Sequence, residues 1–498
     1  MLFYEDFKKF QGYFYDETIA EPIEIANFEY EEKYIQDQVE PKTAFLSFSK
    51  ERRGIVNGRE VASWPEGNQV VERQLANLSL VITEQPIKNL GDKLPQFIVP
   101  DIWEFMLSLS TSLCSSRRGK IIATTGSVGK SSTRLMLDHI LNQDTVLSNR
   151  GNHNTRFAIP LYLTKLASDP SVVNLEVSLN ALNNRYPGPL TTIIQPDIAI
   201  LTSVGEAHMA TFSSLTHLAE YKARIFKGLK KDGTAILNAD LSEEVYEIAL
   251  NQAKKQTTKI KTYSMHSTEA DLFLVSFQEL KYTTEVTINY NKRHYTYYLG
   301  TASQGMIENS MAVLLAAVEL GYKIEDCLLR FADFKSLPKV MEISNHFYQQ
   351  QSLTIIDDTH NASIPAMINA INSFKRKSQY YSGKKVLVLG QVADLGKQGP
   401  ALHEGLIPVI EAANADLVLG YGVLMKPVIE TVSIESCWYE QLPELLEGIL
   451  SEITDQSLFL LKGSISHSDF YRISSLLKNR LKRTSMPMLT ISNEEGRR

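Results

Sequence analysis

Two glycines, a lysine and three serines stand together at Gly126-Ser127-Val128-Gly129-Lys130-Ser131-Ser132, directly after Thr125. Those residue types at that spacing suit the handling of phosphate. Backbone N–H groups freed by Gly126 and Gly129 turn onto phosphate oxygens, the helix that follows offers its positive end, and Lys130 sets a charge against the β- and γ-phosphates. Ser131 is then the natural ligand of Mg²⁺. The usual consensus asks for one more glycine where this chain has Thr124, so the match is to a shorter variant. A plain Gly-Ser turn is the competing reading, and Gly-Lys-Ser between a strand and a helix favours nucleotide over it.

Three further groups belong with this loop by their place in the chain. Glu176 closes the apolar run Val172-Val-Asn-Leu-Glu176, where a carboxylate is either a second metal ligand or a helix cap. His208 follows the apolar run Ile198-Ala-Ile-Leu201, in Gly205-Glu-Ala-His208, and Lys222 lies on the next helical stretch. In open α/β sheets, ligands sit at the carboxyl ends of such strands.

The elements that must position these groups are an alternation of strand and helix. The run Lys120-Ile-Ile-Ala-Thr-Thr125 reads as strand, and Leu135, Met136, Ile140 and Leu141 mark one face of a helix opening at Ser131. The alternation continues to about 325, with a hairpin expected about Asn291-Lys292. Before it, Thr43-Ala-Phe-Leu-Ser-Phe48, Leu80-Val-Ile-Thr83 and Gln96-Phe-Ile-Val-Pro-Asp101 are strand-like. After it, strands at 353–357, 385–390, 416–420 and 458–462 alternate with helical stretches, as in a doubly wound sheet. The fold expected is α/β with three domains: 1–112, a central domain with a mostly parallel sheet at 113–332, and a doubly wound C-terminal domain at 333–498. Asn57-Gly58, flanked by Arg52, Arg53 and Arg59, is either a basic loop that meets an anionic substrate or a solvated turn.

Composition narrows the class. A chain of 498 residues with net charge −6 and 43% hydrophobic residues is an ordinary globular protein with several cores. That charge gives no reason to expect nucleic acid, and no uncharged apolar run reaches membrane-spanning length. The three cysteines are far apart and lack metal-ligand spacing. A reducing cytoplasm is the expected compartment, and a monomer the expected state.

Taken together, Thr125-Gly-Ser-Val-Gly-Lys-Ser131, Gly151-Asn-His-Asn154, Glu176, Gly205-Glu-Ala-His208, Lys222, Leu237-Asn-Ala-Asp240 and Asp357-Asp-Thr-His-Asn361 resemble the Mur ligase superfamily of ATP-dependent amide-bond-forming enzymes. The C-terminal motifs are most similar to the branch that adds D-Ala-D-Ala to a UDP-muramoyl tripeptide. The resemblance implies ATP and Mg²⁺ as cofactors, a nucleotide-linked or small-molecule acid, and an amine or dipeptide as second substrate. It implies catalytic roles for Lys130, His208 and Lys222, the last as a carbamylated lysine. Ser131, Glu176 and His208 would hold metal; residues 125–132, Asn309, Asp357 and Asn361 would hold nucleotide. The C-terminal domain would close over that nucleotide.

The chain departs from the family where substrate choice should lie. Ala26-Asn-Phe-Glu-Tyr-Glu31 replaces an Asp-Ser-Arg signature, Lys339-Val340 a Gly-Arg pair, His360 a tyrosine, and Ser464-Ile465 a Ser-Arg pair. Ile465 cannot fork a carboxylate as arginine does, which leaves Lys462 or His467 to compensate, or a different amine. Two alternatives stay open: a Mur-like ligase acting on a non-peptidoglycan acid, and a non-catalytic nucleotide-binding module.

Overall fold

A computed structural model describes residues 1–15, 23–36, 40, 42–58, 64–88, 90, 93–205, 212–300, 304–335, 338–360, 362–393, 395–464 and 468–485. It divides into two compact units: residues 1–273 with 290–292 and 308–327, and residues 274–289 with 293–307 and 328–498. The expectations at His208, Arg59, Asn361, Ile465 and His467 fall outside the described residues.

In the first unit, the β-branched, fully apolar runs become interior strands. The central sheet orders Lys259–Ser264, Thr234–Asn238, Ile198–Leu201, Lys120–Thr125, Val172–Glu176 and Val146–Ser148 side by side, all parallel. Lys120–Thr125 is flanked on both sides, so the loop that follows it leaves from the middle of the carboxyl edge. Ahead of it, the N-terminal segment forms a five-stranded sheet in the order Tyr13–Phe14, Gln96–Ile98, Leu80–Thr83, Thr43–Leu46, Asn27–Glu29. The three strands read from sequence are its centre.

Between the two sheets runs the helix Ile102–Ser116, started by the Asp101 carboxylate, which accepts from Trp103 N at 2.8 Å and Glu104 N at 3.1 Å. One continuous cluster buries Phe28, Leu46, Phe97, Met106, Leu109, Ile121, Val173 and Leu201. The two sheets therefore share a core, and truncating a side chain such as Leu109 to alanine would cost about 2–5 kcal/mol. The hairpin Thr284–Tyr290 to Arg293–Leu299 turns at Asn291 and Lys292, both at positive φ of 51° and 63°. That is the primed turn whose twist matches paired strands.

The second unit holds a six-stranded sheet in the order Glu342–Tyr348, Gln351–Asp358, Ser457–Lys462, Lys385–Gly390, Leu417–Tyr421, Ser436–Tyr439. The four inner strands match the four apolar runs. The two edge strands, Glu342–Tyr348 and Ser436–Tyr439, have few buried positions and carry no apolar run, which hides them from a hydrophobicity pattern. Among the described residues no helix is long and apolar enough to cross a membrane.

Candidate active site

The site is built at the carboxyl edge of the first unit's central sheet. Strand Lys120–Thr125 is buried from Ile121 onward, and the chain then turns through Gly126–Gly129 into helix Lys130–Ile140. Gly129 sits at φ 86°, in the left-handed region, and a Cβ there would run into Asn309 Oδ1. No side chain among the described residues caps this helix. Its first N–H groups are left for an outside acceptor, which is the condition for anion binding.

Neighbouring loops hold the turn in shape. Ser127 N donates to Ser203 O at 2.8 Å, Val128 N to Ser203 Oγ at 2.9 Å, and Thr202 Oγ1 to Val128 O at 2.7 Å. Gly205 N donates to Ser127 Oγ at 2.9 Å. Thus the segment after strand Ile198–Leu201 clamps the phosphate loop, while Ser132 lies half-buried in the helix's first turn.

Lys130 folds back over the loop, its Nζ donating to Gly126 O at 2.9 Å and Ser127 O at 3.3 Å. Burial pulls its pKa down, opposed by the Glu176 carboxylate. Ser131 Oγ donates to Glu176 Oε2 at 2.7 Å, and Asn154 Nδ2 donates to the other oxygen at 2.7 Å. Asn149 grips the backbone of Glu176, donating to its carbonyl at 2.8 Å and accepting from its N–H at 3.0 Å. The structure therefore brings together Lys130, Ser131, Glu176 and the Gly151–Asn154 loop. A hydroxyl and a carboxylate oxygen held this close form a hard oxygen pair of the kind Mg²⁺ prefers, with room in its shell for phosphate and water. Among the described residues no group of three or more His, Cys, Asp or Glu side chains could hold a metal.

Lys222 closes helix Leu215–Lys222 and is 2% exposed. It has no ion pair among the described residues. Burial, helped by the charge of Lys130, pushes its pKa down to about 7. Two groups in this region were not singled out by sequence. Asn149 carries no motif of its own, although its place just before Gly151-Asn-His-Asn154 is a signal. Glu308, beside Asn309, is pushed up to about 7 by burial and the nearby Asp240 carboxylate.

In the second unit the charges are differently disposed. Asp357 is fully buried; one oxygen accepts from Thr359 Oγ1 at 2.8 Å, the other from Ser474 Oγ and, at 3.1 Å, Lys478 Nζ. Lys462 pairs with Asp358 at 2.7 Å, both side chains buried. His403 uses both ring nitrogens, Nε2 accepting from Val392 N at 2.9 Å and Nδ1 facing Gly399 O at 2.7 Å. Lys339, standing where the family has glycine, adopts φ 64°, a conformation natural to glycine and strained for lysine.

Of the two readings of Asn57-Gly58, the basic loop finds no support from Arg52 and Arg53, and Arg59 lies outside the described residues. Arg52 is spent on Glu84 and Asp101 at 2.8 and 2.6 Å. Arg53 is buried, stacked 4.1 Å from the Trp64 ring and donating to Tyr30 O at 2.8 Å. Neither guanidinium faces a ligand, because adjacent helix positions point to different sides.

A glycine-turned, uncapped helix N-terminus with a lysine over it and a hydroxyl–carboxylate pair at its foot defines a phosphate-handling α/β enzyme site. The chain carries a Mur ligase middle domain, matched over residues 124–317. Among curated proteins it is similar to the UDP-N-acetylmuramoyl-tripeptide–D-alanyl-D-alanine ligases of Rickettsia prowazekii, 28% identical over 78% of this chain and 84% of that protein, and of Bacillus subtilis, 27% identical over 80% and 85%. Among solved structures it resembles MurF from Acinetobacter baumannii, with TM-score 0.74, 21% identity, and 94% and 96% of the two chains covered. It also resembles MurF ligase from Thermotoga maritima in complex with ADP, with TM-score 0.71, 20% identity, and 92% and 98% covered. The fold is that of the Mur ligases.

Proposed function

We propose that this protein is an ATP-dependent ligase that joins a carboxylic acid to an amine through an acyl phosphate, adding D-alanyl-D-alanine to a UDP-muramoyl tripeptide. The relatives' activity supports the pair of substrates, and the ADP complex of the Thermotoga maritima protein supports nucleotide at the loop. Residues 1–112 would bind the acid, 113–332 the nucleotide, and 333–498 the amine.

The observation that carries the reading is the gathering of Lys130, Ser131 and Glu176 at a helix start without a side-chain cap, with Lys222, buried and without an ion pair among the described residues, within electrostatic reach. The substrate carboxylate attacks the γ-phosphate, releasing ADP; the amine then attacks the acyl carbon, and phosphate leaves from the tetrahedral intermediate. Both steps crowd negative oxygens, so cationic donors fixed beforehand lower both barriers. Lys130 exchanges the loop carbonyls Gly126 O and Ser127 O for a phosphate oxygen, and the free N–H groups of the helix hold the rest. Ser131 and Glu176, with His208 by resemblance, would hold Mg²⁺, which when bound neutralises phosphate charge. Lys222, half neutral near pH 7, is fit to add CO₂ and turn into a carbamate, exchanging a cation for an anion at that position.

One observation favours a second reading on the amine side. Lys462 is committed to Asp358 and cannot take over the carboxylate-binding task of the missing arginine. A screen of phosphate release tests both readings: release should require ATP, UDP-muramoyl tripeptide and D-alanyl-D-alanine together. Release with that acid and another amine would select the second reading, and no release with that acid would end the cell-wall assignment.

A further inference from the structure

A glycine-rich loop between strand and helix holds phosphate with successive backbone N–H groups. Here two of those groups are spent on a neighbouring segment. Ser127 N donates to Ser203 O at 2.8 Å, and Val128 N donates to Ser203 Oγ at 2.9 Å. The two bonds differ in kind. The first joins backbone to backbone and breaks only if the chain moves, whereas the second ends on a hydroxyl that rotation about χ1 alone carries away.

The hydroxyl grips both polar groups of one residue. Ser203 Oγ accepts from Val128 N and donates to Val128 O at 3.1 Å. That carbonyl has a second donor in Thr202 Oγ1, at 2.7 Å. Thr202 is itself fixed from below: it is buried, and Asn238 Nδ2 and Tyr263 Oη donate to its carbonyl at 3.2 and 3.3 Å. Gly126 lets this segment come so close, since a Cβ there would run into Thr202 Oγ1. The course of the loop is therefore held by Thr202 and by the Ser203 backbone, and the Ser203 hydroxyl can leave without releasing it.

The contested amide is also within reach of a ligand. Val128 is 61% exposed and Ser203 is half-buried. An N–H bonded to an anionic oxygen is held about twice as strongly as one bonded to a neutral acceptor, so phosphate is the better partner for it. Lys130 stands on Gly126 O and Ser127 O, immediately before Val128. One stretch of four residues thus carries a cation and an amide that both rest on exchangeable internal acceptors.

We propose that the Ser203 hydroxyl is an internal competitor of phosphate. It and a phosphate oxygen contend for one donor, the Val128 N–H, and nucleotide binds by displacing it. Ser203 thereby sets the affinity for nucleotide and eases the departure of ADP after ligation. The inference rests on nucleotide binding at this loop, as in the ligase reading above, and adds a residue that weakens that binding.

Calorimetry of the full-length protein with ADP and Mg²⁺ tests it. Ser203→Ala should lower the Kd for ADP about 3- to 10-fold, the worth of one neutral hydrogen bond. Ser203→Thr, which keeps the hydroxyl, should bind ADP as the parent does. Affinity for adenosine, read by displacement of ADP, should be the same in all three proteins, because adenosine brings no phosphate. Weaker binding of ADP by Ser203→Ala would make the hydroxyl a brace of the loop and overturn the inference. An equal Kd, or an adenosine affinity that rises in step, overturns it too. If the parent binds no ADP, the nucleotide reading fails separately. Inorganic pyrophosphate then decides the contact: tighter binding by Ser203→Ala supports it, and equal, weaker or no binding overturns it.

Discussion

The carboxyl edges of the two mostly parallel sheets treat charge in opposite ways. In the first unit Lys222 is buried with no ion pair among the described residues, which lowers its hold on a proton, and Lys130 rests on backbone carbonyls, free to exchange them for an anion. In the second unit Lys462 is bound to Asp358, and Asp357 is enclosed by Thr359, Ser474 and Lys478. Unpaired buried charge costs stability and is retained where a ligand completes it; paired buried charge fixes one local structure. The first edge is thus disposed for chemistry and the second for rigidity.

That contrast can be broken most forcefully at Lys462. Lys462→Met leaves the buried Asp358 carboxylate without its cationic partner, with the Met341 N–H still donating to it at 3.1 Å, and should destabilise the second unit by about 3 kcal/mol. Urea unfolding followed by Trp438 fluorescence reports it; a midpoint equal to the parent's would show the pair to be dispensable.

Lys130→Ala should leave that unfolding curve in place and lower the ligation rate by about 3 kcal/mol of transition-state stabilisation, roughly 100-fold or more. A variant that ran at the parental rate would strip the loop of its catalytic assignment.

Lys222 sharpens the comparison through pH. Its pKa in the fold, about 7, lies below the ordinary 10.5, so the folded state binds fewer protons than the unfolded one between those values, and stability rises with pH across that window. Lys222→Met should therefore keep or raise the thermal midpoint at pH 7 while abolishing ligation. Uptake of ¹³C-labelled bicarbonate, read as a carbamate signal by NMR, should half-saturate near pH 7 and vanish in the variant. A signal present only above pH 9 would mean an ordinary lysine.

The smallest expected effect lies far from either edge. The turn between strands Glu342–Tyr348 and Gln351–Asp358 places Gln349 and Gln350 at φ 47° and 71°. Replacing the pair by Asn-Gly should stabilise the second unit by about 1 kcal/mol, seen as a small upward shift of the Trp438 transition with activity unchanged.

Particular elements show why some of this was legible in the chain and some was not. The phosphate loop was, because its chemistry is local: strand, glycines, lysine and serine are consecutive, and Gly129 declares its own left-handed geometry. The Asn291-Lys292 hairpin and the four inner strands of the second unit followed from alternation and apolar runs. The edge strands Glu342–Tyr348 and Ser436–Tyr439 did not, since an edge strand needs no apolar run. Arg52 and Arg53 stayed open between a basic loop and a solvated turn, because only packing shows one paired with Glu84 and Asp101 and the other stacked on Trp64.

By itself, then, the sequence determined the glycine-lysine-serine turn and in what order strands and helices present its groups, since periodicity and backbone permissiveness are properties of neighbouring residues. Only the tertiary structure decided their electrical state and company. Ser131 meets Glu176 across 45 residues, Lys222 loses its proton affinity to burial, and the Ser203 hydroxyl meets the Val128 N–H across 75 residues. Distance in space and depth below the surface set these outcomes, and neither is written in any local stretch of chain.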